Sequence, residues 1–179
     1  MRIIAGRWRG RKLEAPRGET TRPTSDRARE TLFSMLTSRI GSFDDLRVAD
    51  IFAGTGALGL EALSRGAKHC SFVEQDRPAL EALRKNIAAL DAGGEVLARS
   101  VLAIPRVERP YDLLLLDPPY KSDLLHPAIA TLTAHGWIGP ASWIAIETAR
   151  DEQLDSIDLT LEADRVIGKA RVTIFHGSG

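Results

Sequence analysis

A run of four leucines that stops at two prolines constrains this chain more than any other stretch of its sequence. Residues 113–116 are all leucine, and Asp117-Pro118-Pro119-Tyr120 follows them directly. Consecutive large apolar residues indicate a strand buried on both faces, as in a parallel sheet. Neither proline can donate to a sheet ladder, and each restricts the residue before it, so the strand ends in a rigid turn. That turn presents a carboxylate, a backbone carbonyl and an aromatic ring, which together suit a flat heterocycle held by an exocyclic amine.

Strand-like and helix-like segments alternate along the rest of the chain. Short apolar runs predict strands, and apolar residues at helical spacing predict helices. Their alternation predicts an α/β fold: a mostly parallel, seven-stranded sheet with helices on both faces and an antiparallel C-terminal hairpin. The predicted strands span residues 47–52, 69–74, 95–98, 112–116, 142–147, 159–167 and 170–175, and the predicted helices span residues 27–40, 57–65, 78–90 and 123–135.

The charge of the chain is concentrated at its beginning. Residues 1–30 contain nine Lys or Arg and four Asp or Glu, a balance of +5 in a chain whose formal net charge is zero. Such a basic arm suits a polyanionic partner, although a solvated tail would explain the charge alone. The apolar Ile3 and Leu13, with Gly6 and Gly10 as turn residues, predict a small β-hairpin instead.

Size and composition exclude several protein classes. A chain of 179 residues can form one full core, which we place in residues 41–179, with residues 1–40 as a basic extension. The single cysteine, Cys70, precludes a disulfide framework and favours a reducing compartment. No apolar stretch approaches the roughly 20 residues of a membrane span, and no signal peptide is recognisable. We therefore expect a cytoplasmic protein without membrane contact, and a monomer.

A glycine-rich turn follows the first predicted strand. Gly54, Gly56 and Gly59 are spaced as in dinucleotide-binding proteins, and Glu74 lies twenty residues after Gly54. One interpretation is therefore an NAD enzyme in which the acid binds a ribose. Asp50 favours another, because a carboxylate near the helix start repels a pyrophosphate and attracts the ammonium and sulfonium of S-adenosylmethionine. A turn that merely packs a helix against a strand is the ligand-free alternative.

The two turns are expected to meet in one cleft. In open α/β sheets, ligands lie beyond the carboxyl ends of the strands, and the first and fourth strands flank the switch point. We predict no metal site, because the four histidines show no ligand spacing. The predicted cofactor-binding residues are Asp50, Phe52, Gly54, Gly56, Glu74, Ser100 and Asp117.

Four short segments match a known family. They are Met1-Arg2-Ile3-Ile4-Ala5-Gly6, Arg22-Pro23-Thr24, Arg29-Glu30-Thr31-Leu32-Phe33 and Asp117-Pro118-Pro119-Tyr120. With the glycine turn, they resemble the bacterial RsmD family of 16S ribosomal RNA guanine-N2 methyltransferases. The resemblance implies a Rossmann-like class I methyltransferase fold and S-adenosylmethionine as the cofactor. It also implies a guanine of 16S rRNA as the target, of the guanine-966 type, within the 30S subunit or an assembly intermediate.

The resemblance also implies catalytic roles. Asp117 and the Pro118 carbonyl would accept the two amine hydrogens and direct the nitrogen lone pair at the methyl group. Tyr120 would stack on a base flipped out of the RNA. Ser100 departs from the family pattern, since many methyltransferases have Asp or Asn there to contact the adenine.

The basic arm supplies the predicted RNA contacts. Trp8 lies among arginines, so it either stacks on RNA or packs the arm onto the body. The residues expected to bind RNA are Arg7, Trp8, Arg9, Arg11, Lys12 and Arg22. Two other functions stay open: an adenine-N6 methyltransferase acting on DNA or RNA, which meets the same amine problem, and a non-catalytic RNA-binding scaffold with a methyltransferase fold.

Overall fold

Seven strands form one mixed sheet in the computed structural model, which describes residues 1–16 and 25–178. The strands are β1 (Arg47–Ile51), β2 (His69–Glu74), β3 (Glu95–Ala98), β4 (Leu113–Leu116), β5 (Trp143–Ala149), β6 (Thr160–Ile167) and β7 (Ala170–His176). The helices are α1 (Ser25–Ile40), α2 (Ala57–Ser64), α3 (Arg77–Leu90) and α4 (Leu125–Ala134), with a short 3₁₀ turn at Val101–Ala103. The strand order is β3-β2-β1-β4-β5-β7-β6. Strand β7 runs in the direction opposite to that of the other six strands. The predicted α/β architecture is confirmed.

Strand β4 shows why helices cover both faces of the sheet. Leu113 and Leu115 join the apolar cluster that contains residues of α1, α2 and α3, whereas Leu114 and Leu116 join the cluster that contains residues of α4. All four leucines are completely buried. Because successive side chains of a strand point to opposite faces, an unbroken leucine run requires apolar partners on each side.

The centre of the sheet places two chain segments side by side. Strand β1 pairs in parallel with β4, and Ile51 stands opposite Leu116 at the carboxyl end of that pair. Phe52 and Asp117 therefore leave the sheet together, and the Asp117 N–H lies 3.4 Å from the Ile51 carbonyl oxygen. The predicted meeting of the two turns at the switch point is confirmed.

The N-terminal arm, residues 1–16, forms a short antiparallel hairpin around the bridge between Arg2 and Lys12, as predicted. The Leu13 N–H donates to the Met1 carbonyl at 3.1 Å, the Ile3 N–H to the Arg11 carbonyl at 2.9 Å and the Gly10 N–H to the Ile3 carbonyl at 2.9 Å. Ile3 is fully buried and Leu13 nearly so, and both belong to the apolar cluster beneath α1. The arm is thus held by packing against the body, and the solvated-tail interpretation is wrong for these residues.

Helix α2 satisfies the backbone of the arm. The buried Glu61 carboxylate accepts hydrogen bonds from the Ile4 N–H at 2.8 Å and the Ala5 N–H at 3.0 Å, and the Ser64 hydroxyl donates to the Ala5 carbonyl at 2.7 Å. Gly6 has φ of +84°, and a Cβ there would lie 1.9 Å from the Ser64 carbonyl oxygen. Only glycine fits this close approach, so the arm follows a path set by α2.

The element boundaries differ slightly from those predicted. Helix α1 begins two residues earlier, at Ser25, and β5 continues to Ala149, two residues beyond the predicted end. Both differences lie at element ends, where periodicity is least informative. None of the helices within the described parts of the chain has the length and apolar character to cross a membrane.

Candidate active site

A cavity of about 690 Å³ opens at the carboxyl edge of the parallel strands. This volume lies in the range typical of small-molecule and cofactor sites. Its wall is formed by residues of the arm, of the helices α1, α2 and α3, and of the carboxyl ends of the parallel strands. Among the predicted site residues, its lining includes Asp50, Phe52, Gly54, Glu74, Ser100, Asp117 and Pro118.

Asp50 is a buried carboxylate at the end of β1. Its side chain is 1% exposed, and one carboxylate oxygen accepts a hydrogen bond from the Gly59 N–H of α2 at 2.8 Å. Burial raises the pKa of the Asp50 carboxyl well above its usual range; the Gly59 bond opposes this, and the nearby Asp117 and Glu74 carboxylates add to it. An ionised Asp50 therefore gains from any cation that enters the cavity.

Replacing Asp50 with asparagine should strengthen the fold of the ligand-free protein at neutral pH while weakening its binding of a cationic ligand. Since folding raises the Asp50 pKa, the ionised carboxylate costs folding free energy as pH rises above the pKa of the unfolded chain, about 3.9. Asparagine can still accept the Gly59 hydrogen bond. Urea unfolding at a series of pH values that starts near the unfolded-state pKa of about 3.9 and goes upward should show the stability advantage of the variant growing with pH.

The exposed Asp158 provides the matched control, because its replacement with asparagine should change neither property. Calorimetry with S-adenosylmethionine should show affinity reduced about tenfold or more in the Asp50 variant, as expected when a buried charge loses its partner. Unchanged affinity would contradict the proposed attraction between Asp50 and a cation.

Glu74 is fixed by backbone donors at the end of β2. One carboxylate oxygen accepts from the Gly54 N–H, and the other accepts from the Gln75 and Asp76 N–H groups, each at 2.8 Å. This arrangement ties the glycine turn to the next strand and leaves the acid in the cavity wall. Asp76 caps α3 by accepting from the Ala79 N–H at 3.0 Å. Ribose binding by Glu74 stays a prediction.

The glycines of the turn have different physical roles. A Cβ on Gly56 would lie 2.4 Å from a methyl carbon of Leu83, and one on Gly59 would lie 2.4 Å from the Phe72 ring. These two glycines allow α2 to pack closely on the sheet, and Gly56 is not part of the described cavity wall. Gly54 differs: it has φ of +56°, and no atom that a Cβ would meet lies nearer than 4.0 Å. Its open side faces the space available to a ligand.

The Asp117-Pro118-Pro119-Tyr120 turn lies across the cavity from the glycine turn. Asp117, Pro118 and Pro119 contribute to the wall, and Pro118 is buried whereas Asp117 is half-buried. Tyr120 is half-buried and does not appear in the described cavity wall. Lys121 has φ of +55°, a conformation uncommon for residues other than glycine. The structure thus brings the carboxylate and both prolines to the cavity, and base stacking by Tyr120 stays a prediction.

Ser100 belongs to the cavity wall and starts the 3₁₀ turn, and its contact with an adenine stays a prediction. Its hydroxyl oxygen accepts from the Leu102 N–H at 3.2 Å, so its own proton is available to donate into the cavity. Within residues 1–16 and 25–178, no group of three His, Cys, Asp or Glu side chains is placed to hold a metal ion.

The basic residues of the described arm are exposed, whereas the tryptophan among them is not. Trp8 is half-buried and packs against the apolar cluster beneath α1, with the Arg7 guanidinium 4.0 Å from its ring centroid. Of the two roles considered for Trp8, the structure shows packing. Arg11 also donates to the Ala89 carbonyl of α3 at 2.7 Å. Arg22 lies outside the described residues.

The arm reaches the cavity at its two ends. Met1 and Pro16 belong to the cavity wall, whereas the loop between Gly6 and Gly10 contacts the last residue of α2. An eight-residue helix is about 12 Å long, so Arg7 and Arg9 lie roughly that far from the rim. Contact between these two arginines and RNA stays a prediction.

Two buried charged residues of the cavity wall were not predicted as site residues. Glu147 is 9% exposed and lies near the end of β5, and Arg29 is 2% exposed on α1. The signal for Glu147 was present, because an acid ends an apolar strand there just as Glu74 ends β2. Nothing in the helical pattern around Arg29 distinguished it from a surface residue.

Known proteins match the chain over nearly its whole length. A family model described as "Conserved hypothetical protein 95" matches residues 1–176. Proteins named ribosomal RNA small subunit methyltransferase D are similar to it: that of Escherichia coli is 37% identical over 98% of this chain and 89% of its own, and that of Haemophilus influenzae is 41% identical over 86% and 81%. The solved structure of a putative methyltransferase, yhhF from Escherichia coli, superposes with a TM-score of 0.86 at 37% identity, covering 99% of this chain and 98% of that one.

Proposed function

The chain belongs to the RsmD family, described as conserved hypothetical protein 95, and from this premise we propose that it methylates ribosomal RNA of the small subunit. The reaction proposed is transfer of a methyl group from S-adenosylmethionine to the exocyclic N2 of a guanine in 16S rRNA, of the guanine-966 type. The main support is a single cavity with two chain segments in its wall. Asp117-Pro118 follows β4, and residues 50–54 begin at the end of the neighbouring strand β1. The names of the related proteins support ribosomal RNA as the substrate.

The residues of the cavity suit S-adenosylmethionine better than NAD. When bound, this cofactor supplies an electrophilic methyl group, which leaves with the carbon–sulfur electron pair returning to sulfur as the nitrogen bonds to carbon. The cavity presents Asp50, Glu74 and Asp117, three acids that favour a cationic ligand over a pyrophosphate. The open side of Gly54 leaves room for close approach. An NAD protein would place its phosphates at the start of α2, close to the Asp50 carboxylate.

Asp117 and the Pro118 carbonyl are proposed to activate the amine. The N2 lone pair of guanine is conjugated with the ring, and attack requires it to localise on nitrogen. Two acceptors fixed on the amine hydrogens orient the lone pair and stabilise the positive charge that develops on nitrogen. One N2 proton then leaves to Asp117 or to water, which returns the methylated amine to neutrality. The rigid prolines keep both acceptors in place without a reorganisation cost.

The basic arm is proposed to bind RNA around the cavity. Arg7, Arg9 and Lys12 are exposed and positioned for phosphates, while the target base enters between Asp117 and the cofactor. A small recognition surface suits a substrate already folded into a loop, as in the 30S subunit or an assembly intermediate. A non-catalytic scaffold would be expected to have lost Asp117 or the glycine turn, and this chain retains both.

Labelled methyl transfer tests this function directly. The protein is incubated with labelled S-adenosylmethionine and, separately, 30S subunits lacking the modification, naked 16S RNA and DNA, followed by nucleoside analysis. We expect N2-methylguanosine from small-subunit RNA, and calorimetric heat with S-adenosylmethionine but not with NAD. Label recovered as N6-methyladenosine, or transfer to DNA alone, would contradict the proposed base, and heat with NAD only would contradict the reaction class.

A further inference from the structure

Glu147 occupies a position on β5 equivalent to that of Asp117 on β4. In the parallel ladder Leu116 stands opposite Ile146, so Asp117 and Glu147 follow side by side. Neighbouring strands lie about 4.8 Å apart, and both residues belong to the cavity wall. Glu147 is 9% exposed. Glu147 therefore places a second carboxylate in the cavity wall beside the proposed amine clamp.

Arg29 brings a buried cation to the same region. Its Nη2 donates to the Arg2 carbonyl at 2.6 Å and to the Asp26 carboxylate at 2.7 Å. The side chain is 2% exposed, and its Nε and Nη1 have no hydrogen-bond partner among residues 1–16 and 25–178. Burial lowers the pKa of Arg29, while Glu61, Asp26 and Glu147 raise it, which places Glu147 in its electrostatic surroundings. Unsatisfied buried donors cost free energy unless a ligand supplies acceptors.

We propose that Glu147 and Arg29 read the Watson–Crick edge of the target base and thereby select guanine. This assignment rests on the proposed function. The edge of guanine carries, in order, the N2 amine, the N1–H and the O6 carbonyl. Asp117 accepts from the amine, Glu147 on the adjacent strand accepts from N1–H, and Arg29 donates to O6. The two carboxylate acceptors and the guanidinium donor of the protein thus match the two donors and the one acceptor on the edge of guanine.

The same set rejects adenine. With the adenine amine at Asp117, the unprotonated N1 turns its lone pair toward the Glu147 carboxylate, and the C2–H lies where Arg29 needs an acceptor. A site whose buried polar groups are left unpaired discriminates strongly against the wrong ligand. Glu147 and Arg29 therefore separate the guanine-N2 function from the adenine-N6 alternative, which the Asp-Pro-Pro-Tyr turn alone does not.

The experiment uses a base analogue that keeps the reacting amine. 2-Aminopurine has the amine at C2, lacks O6 and has an unprotonated N1, so it tests recognition without changing the methylated atom. Small-subunit RNA is prepared with guanine or 2-aminopurine at the modified position and assembled into particles, and kcat/KM is measured for both. The wild-type protein should prefer guanine by about a hundredfold or more.

Two variants test the two residues. Glu147→Gln is nearly isosteric and should lower kcat/KM for guanine by about tenfold to a hundredfold. It should raise kcat/KM for 2-aminopurine, because the side-chain amide can donate to an unprotonated N1. Arg29→Lys keeps the charge but loses the planar donors. It should lower the ratio of kcat/KM for guanine to kcat/KM for 2-aminopurine. Glu162→Gln on the exposed face of β6 is the matched control and should change neither constant.

The possible outcomes are distinct. An equal loss on both substrates, or an unchanged ratio in Glu147→Gln, would overturn the inference and leave the proposed function standing. Loss of S-adenosylmethionine affinity in Arg29→Lys with an unchanged base preference would also overturn it, because Arg29 would then hold the cofactor. If the wild-type protein transfers no methyl group to guanine, both the function and the inference fail.

Discussion

Replacing Asp117 with alanine is expected to lower kcat for methyl transfer by about a hundredfold to a thousandfold, the range seen when one preorganised electrostatic contact to a transition state is removed. The affinity for S-adenosylmethionine should change by no more than about threefold, because Asp50 and Glu74 still supply the acidic wall of the cavity. The amine contacts of Asp117 are strongest when positive charge develops on nitrogen, so their loss affects turnover more than binding. Single-turnover kinetics with 30S particles, together with calorimetry, separates the two effects.

The matched control for this variant is Asp123→Ala. Asp123 is an exposed carboxylate of the same loop, so its removal changes the local charge by the same amount outside the cavity. Both rate and affinity should stay at wild-type values. Wild-type turnover in Asp117→Ala would remove the amine clamp from the mechanism, and a large loss of cofactor affinity would assign Asp117 to cofactor binding instead.

Reversing the charge of Arg7, Arg9 and Lys12 to glutamate should weaken RNA binding on the order of a hundredfold and reduce its salt dependence. If each residue contacts a phosphate of unpaired RNA, the slope of log K against log salt should fall in magnitude by about 2, since each contact contributes about 0.7. Arg11 is left in place because its guanidinium donates to the Ala89 carbonyl and helps hold the arm on α3. Filter binding between 50 and 300 mM salt measures the slope in a range where phosphate contacts dominate it.

The control carries the same charge change at the opposite edge of the sheet. Lys68, Arg106 and Arg109 are exposed and lie before β2 and β4, at the amino ends of the parallel strands. Reversing these three should reduce affinity only slightly, through the change in net charge. If both triple variants lose affinity equally, with equal slopes, the arm is not the RNA contact. Urea unfolding of each variant confirms that the fold is retained.

Much of the architecture was predictable because it depends on local pattern. The leucine run of β4 could only be buried on both faces, and the prolines after it could only end the strand. The capping of α3 by Asp76 likewise follows from a short-range signal, an acid just before a proline. The hairpin of the arm was predictable from its turn glycines, but its attachment to the body was not, because Glu61 and Ser64 of α2 bind the backbone of Ile4 and Ala5 from a distant part of the chain.

The site was predictable only in part. Acids at strand ends identified Asp50 and Glu74, and the same signal was available for Glu147. Arg29 gave none, since an arginine on an amphipathic helix is usually solvated, and its burial depends on α1 packing over the sheet. The role of Gly56 also required the structure: its Cβ space is occupied by Leu83 of α3, which is distant along the chain.

The sequence by itself determined the order of strands and helices, the rigid Asp-Pro-Pro-Tyr turn and the acids that follow β1 and β2, because periodicity, proline geometry and strand ends are local properties. The tertiary structure alone decided that Glu147 stands beside Asp117, that Arg29 is buried with two unpartnered nitrogens, and that the arm is held by α2. These depend on which strands become neighbours and which charges are removed from water, and both are set by long-range packing.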